Sequence, residues 1–141
     1  MTFSWLAFTL IFWAGLLLGV SFIATPVKFM APHLTIQIAL EVGKATFQIF
    51  NKIEWGMLAL TIISAYLHRF HILKWYLVVI LAVLMLLESL WLLPILDRRA
   101  DLVIAGELAV PGTLHWFYII ADVIKLIVLL AGAWYISKET I

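Results

Sequence analysis

Four ionisable residues stand where so apolar a chain has little reason to keep any. Glu54, Glu88, Asp122 and Lys125 each fall inside a long hydrophobic run. A charge at the centre of a membrane helix costs about 2.5–3.5 kcal/mol on an insertion scale, so such residues are expected to meet a partner or a polar cavity. Three acids and one amine make a set that can hold a proton or a small polar solute. The same set can serve only to orient helices during assembly. Asn51, Lys52, His115 and Tyr118 lie close enough in sequence to act as supporting groups.

Spacing places these residues at a common depth. His115, Tyr118, Asp122 and Lys125 are separated by 3, 4 and 3 positions, which aligns them along one stripe of a helix. With spans centred near Met57, Leu86 and Lys125, a rise of about 1.5 Å per residue puts Glu54 about 4–5 Å, Glu88 about 3 Å and Asp122 about 4–5 Å from the middle. All three displacements point to the face shared by the first and third loops. Lys125 balances one carboxylate. Desolvation and mutual repulsion then predict that at least one of Glu54, Glu88 and Asp122 is neutral near pH 7.

The elements that must position this group follow from composition. Of 141 residues, 66% are hydrophobic and 12% charged, with a mean hydropathy of +1.16. Soluble domains are about 45–50% apolar and about 25% charged, so lipid must cover the excess. Runs of roughly 20 apolar residues suit a spanning helix. Four qualify: 4–24, 46–67, 75–96 and 114–136. They lack strict alternation, which selects helices over a barrel. The expected fold is all-α: a single domain over 1–141, a four-helix transmembrane bundle. Between the first two spans, Leu34 to Phe50 repeats apolar residues every three to four positions. That reads as an amphipathic segment, continuous with the second helix or separately interfacial or re-entrant.

Punctuation divides the rest. Pro26, Pro32 and His33 follow the first span, His68–Lys74 forms a polar hairpin, and Asp97–Thr113 is a long loop ending in Pro111-Gly112. Pro94 is expected to kink the end of the third helix, and Thr113 to cap the fourth. Trp5, Trp75, Tyr76, Trp91, Trp116, Trp134 and Tyr135 form an interfacial belt. Gly15 and Gly19 form a GxxxG, expected to pack inside the bundle. The apolar run from Phe3 to Ala24 exceeds a signal core of about 7–15 residues and reads as a retained span. Lys28, Lys44, Arg98 and Arg99 outnumber Arg69, Lys74 and Lys138, which leans the termini towards the periplasmic side.

Several classes are set aside. The chain has no cysteine and a net charge of +1. Thiol chemistry is excluded, and no basic face serves nucleic acid. His33, His68, His71 and His115 share no span at ligand spacing, so neither metal nor haem is expected, and no cofactor is assigned.

Several strings carry a resemblance: Gly19-Val-Ser-Phe-Ile-Ala-Thr-Pro-Val-Lys-Phe29, Ala39-Leu-Glu-Val-Gly-Lys-Ala-Thr-Phe47, Phe50-Asn-Lys-Ile-Glu-Trp55 and Leu93-Pro-Ile-Leu-Asp-Arg-Arg99. Gly106-Glu107, Leu114-His115 and Tyr118 to Lys125 complete the set. Together these resemble short four-span bacterial membrane proteins of unknown function. More loosely, they are similar to the four-helix domain of a eukaryotic membrane protein family linked to platinum-drug resistance. The resemblance implies the fold and a bacterial inner-membrane location, and brings no catalytic residues. Three functions follow as expectations. The first is a small transporter or proton- or solute-binding module, working as a homo-oligomer. The second is a non-enzymatic accessory or assembly subunit bound to other membrane proteins or lipid. The third is a membrane-embedded oxidoreductase, for which the spans offer no ligand pair.

Overall fold

The first helix starts where Ser4 accepts a hydrogen bond from the Ala7 N–H at 3.3 Å, satisfying one of the free donors of a helix start. Helix α1 runs Trp5–Leu17 and passes without a break into a π-helical stretch, Leu18–Ala24, and then α2, Thr25–Lys28. Pro26 explains the change of pitch. It has no N–H to offer the carbonyl four residues back. The backbone answers by shifting register, so that the Thr25 N–H and, at 2.9 Å, the Thr25 hydroxyl both bond to the Val20 carbonyl. The same solution appears at Pro94. Helix α4, Ile72–Leu87, widens into a π stretch, Glu88–Leu92, in which the Leu93 N–H reaches the Glu88 carbonyl. The chain then continues as α5, Leu93–Ile104.

This corrects the reading of Asp97–Thr113 as a loop. Helix persists through Asp97, Arg98 and Arg99 to Ile104, because the π stretch absorbs the missing donor of Pro94. Helix α3 spans Ile36–Leu67, so the amphipathic run from Leu34 is the first half of one continuous helix. Its 32 residues extend about 48 Å at about 1.5 Å each, against a hydrocarbon core of about 30 Å. Helix α6, Leu114–Glu139, begins directly after Thr113. The computed structural model describes residues 4–67, 72–107 and 113–139. His68, His71 and the Pro111-Gly112 pair lie outside them.

Four long helices pack as an all-α bundle. Leu6, Leu10, Trp13 and Leu17 form the buried stripe of α1, at spacings of 4, 3 and 4. They meet Phe50, Met57 and Leu58 of α3, Leu81 and Met85 of α4, and Leu129, Ala133 and Ile136 of α6. Gly132 lets α4 come close to α6, since a Cβ there would stand 2.8 Å from both Leu77 methyl carbons. Gly15 and Gly19 do not play that part. A Cβ at either would meet nothing within 4 Å, so the expected internal GxxxG contact is not made. The bundle turns that face outward.

Outside the core the surface is apolar. Phe8, Ile11, Phe12, Val83, Leu90, Ile127 and Leu130 are all exposed, an apolar shell of the kind a membrane interior covers. Trp5–Lys28, Trp75–Ile104 and His115–Lys138 are each long and apolar enough to cross a membrane. The chain is therefore a multi-pass membrane protein.

The first half of α3 and the whole of α5 lie side by side at one end of the bundle. The Lys44 ammonium is 2.7 Å from both Asp101 carboxylate oxygens, and the Gln48 amide donates to Asp97 at 2.7 Å. Helix α5 ends on Gly106, whose φ is 77°. The Glu107 N–H bonds back to Leu102 at 2.9 Å and the Gly106 N–H to Val103 at 3.1 Å, the pairing of a Schellman stop. A side chain in that left-handed conformation costs about 1–2 kcal/mol. Gly106→Ala is expected to lower stability by about that amount, read as a lower midpoint of thermal unfolding in detergent.

Candidate functional site

Four helices deliver five side chains to a point inside the bundle. Lys125 and Asp122 come from α6, Glu54 from α3, Glu88 from the first residue of the second π stretch and Trp13 from α1. Glu54, Glu88 and Lys125 are 0% exposed and Asp122 is 2% exposed. The Lys125 ammonium donates to Glu88 Oε2 in a short contact, lies 2.8 Å from Glu54 Oε1 and 3.3 Å from Asp122 Oδ1. The Trp13 indole N–H donates to the same Glu54 oxygen at 3.0 Å.

One amine thus serves three acids. Glu54 Oε2 and Glu88 Oε1 are buried without a hydrogen-bond partner, and Asp122 Oδ1 has only the ionic contact to Lys125. The Ser21 hydroxyl, from the first π stretch, is buried beside Asp122 without a hydrogen-bond partner. Among the described residues no three His, Asp or Glu side chains converge as a metal-ligand set. Lys125 holds the place between the carboxylates that a cation would take.

The supporting residues divide. Tyr118 is buried one turn before Asp122, its ring packed edge-on against Phe47 with centroids 5.2 Å apart. His115 lies one further turn out, exposed at the rim. Asn51 is buried, but its amide exchanges hydrogen bonds with Ser89 at 2.8 and 3.1 Å. Ser89 also accepts from the Trp55 indole at 2.9 Å. These three form a polar patch next to Glu88 along the backbone rather than part of its ion pair. Lys52 is exposed and does not reach the acids. At about 100° per residue it stands about 200° around α3 from Glu54.

Sequence reasoning missed Trp13, Ser21 and Ser89. Trp13 did carry a signal. It sits at mid-span, away from the interfaces where tryptophan collects, and a buried indole N–H needs an acceptor.

A cavity of about 350 Å³ opens at the loop end of the bundle, between α2, α3, α5 and the start of α6. Tyr118 and His115 line it together with Lys28 and Arg99. Tyr118 therefore stands between this cavity and the acid–amine cluster along α6.

No curated protein and no solved structure matches the chain. A family described as a domain of unknown function, DUF4149, matches residues 8–105. That stretch carries Trp13, Glu54 and Glu88, whereas Asp122 and Lys125 lie on the helix that follows it. With most of its length matched, the chain belongs to the DUF4149 family, as a short multi-span bacterial membrane protein built around a buried acid–amine cluster.

Proposed function

We propose that this protein is a small transporter or proton- or solute-binding module of the bacterial inner membrane, with Glu54, Glu88, Asp122 and Lys125 as its binding centre. One observation carries the reading: three carboxyl groups share a single ammonium in a fully buried site. If every acid were ionised, the cluster would hold two uncompensated negative charges in a medium of low dielectric constant, at a cost of several kcal/mol each. Protons are the cheapest remedy. A centre that holds protons because of its charge count releases them when a cation or donor replaces them. The stripe from His115 through Tyr118 to Asp122 marks the approach from the loop-end cavity.

In this reading the segment 46–67 of α3 is a further crossing. The chain is then one four-span domain over 1–141, with its termini on the periplasmic side. Four helices enclose little space for a pathway, so transport calls for a homo-oligomer.

Infrared difference spectroscopy between neutral and alkaline pH tests the centre. A protonated carboxyl band is expected at neutral pH in the intact protein, and its partial loss in Glu88→Gln or Asp122→Asn. Three fully ionised acids throughout the neutral range would overturn the proposal.

A second reading rests on the completeness of the Lys125 contacts. A cluster this enclosed also serves as internal glue in an accessory or assembly subunit. Glu88→Gln and Asp122→Asn would then reduce folded yield. In the transport reading they abolish flux in proteoliposomes and leave the yield intact.

A further inference from the structure

The loop-end cavity has the walls of a lipid site and two cations that pair with no carboxylate among the described residues. Phe29, Ile36, Leu40, Phe47, Leu93 and Leu96 make most of its lining apolar. Its volume falls in the range of about 300–1,000 Å³ usual for ligand pockets. Four groups of basic type face it: Lys28, Lys44, Arg99 and His115. Lys44 is already neutralised by Asp101 at 2.7 Å. Asp97, the acid on the lining, accepts from Gln48 at 2.7 Å. Among the described residues no carboxylate pairs with Lys28 or Arg99.

Lys28 is held against two aromatic rings. The Lys28 ammonium lies 5.2 Å from the Phe29 ring centroid and 5.8 Å from that of Phe47. Gly43 leaves room for it, since a Cβ there would collide with the amine. Arg99 buries its Nε–H without any acceptor. An unmade bond from a buried charged donor is costly, and an anionic oxygen arriving between Lys28 and Arg99 would supply it. The position selects the source. Lys28 ends the first membrane-length helix, and Arg99 lies near the end of the second such helix in chain order, Trp75–Ile104. The ends of membrane-length helices fall at the level where phospholipid head groups meet the hydrocarbon.

We propose that this cavity binds an anionic phospholipid, its phosphodiester between Lys28 and Arg99 and its upper acyl chain along the Phe29–Leu40–Leu96 wall. The inference does not rest on the protonation of the buried cluster, and its readout is bound lipid rather than flux.

Native mass spectrometry of the intact protein tests it, with phosphatidylglycerol and phosphatidylcholine titrated separately into detergent. Phosphatidylglycerol is expected to be retained at least tenfold more tightly than phosphatidylcholine. The Lys28→Met/Arg99→Gln variant is expected to lose that preference, and Lys52→Gln, an exposed cation elsewhere, to keep it. Leu40→Trp fills the apolar wall while leaving every charge in place, and should also lose the lipid. It decides the matter if the double variant fails to fold. Equal retention of the two lipids, or a preference that survives both the charge and the wall variants, overturns the proposal. Displacement by millimolar inorganic phosphate would overturn it too, by assigning the site to a free anion.

Discussion

Lys125→Met is expected to lower stability by about 3–5 kcal/mol, the usual cost of removing one member of a buried ion pair and leaving the other charged. The site makes the upper end the better expectation, because the ammonium contacts Glu54, Glu88 and Asp122 at once. Methionine keeps nearly the same length, so the loss measures charge more than packing. Acid should partly reverse it. As pH falls, the abandoned carboxylates take up protons, the uncompensated charge disappears, and the gap to the parent protein narrows. Combining Lys125→Met with Glu54→Gln, Glu88→Gln and Asp122→Asn removes all the charge and should recover much of the stability. Thermal or denaturant unfolding in detergent at pH 7 and pH 5 gives all three comparisons. A loss under about 1 kcal/mol at both pH values would mean that Lys125 is not the counter-ion of these acids.

Trp13→Ala should cost about 3–5 kcal/mol, as expected for a fully buried aromatic cut to a methyl group. Trp13 is 0% exposed and lies in the main apolar cluster. Two effects add. The indole leaves a void between α1 and its neighbours, and Glu54 Oε1 loses the donor at 3.0 Å. Trp13→Phe separates them. It keeps most of the volume and removes only the N–H, for which about 1–3 kcal/mol is the expected penalty. If Phe and Ala were equally damaging, the hydrogen bond would be the larger contribution. If Phe were harmless, Glu54 would not need the indole. Unfolding midpoints of the two variants under matched detergent conditions settle the ratio.

Depth was legible from the sequence because helical rise is fixed. Glu54, Glu88 and Asp122 could be assigned to one layer from their distance to the span centres, and the structure places them around one ammonium. The stripe from His115 to Lys125 followed from helical phase in the same way. Neighbours across helices were less accessible. Lys52 is close to Glu54 in sequence yet on the far side of α3, and a reading by proximity alone overlooked the rotation. Trp13 is 41 positions from Glu54, and no local pattern joins them. The stretch from Asp97, just beyond Pro94, was misread as a loop for a different reason. Proline normally ends a helix, and the compensating π register depends on backbone bonds that residue types do not encode. The amphipathic run from Leu34 could be identified as helical, but its union with the second helix rests on packing against α5, a long-range event.

The two ends of the bundle are fastened by different means. Towards the termini, Leu6, Leu81, Ala133 and Ile136 interlock in a dry, close-fitted plug. At the loop end, α3 and α5 are tied at the surface by Lys44–Asp101 and Gln48–Asp97, contacts that water readily replaces. Opening that wets Lys125 is therefore expected to start at the loop end, where the ties lie at the surface, rather than through the close-fitted terminal end.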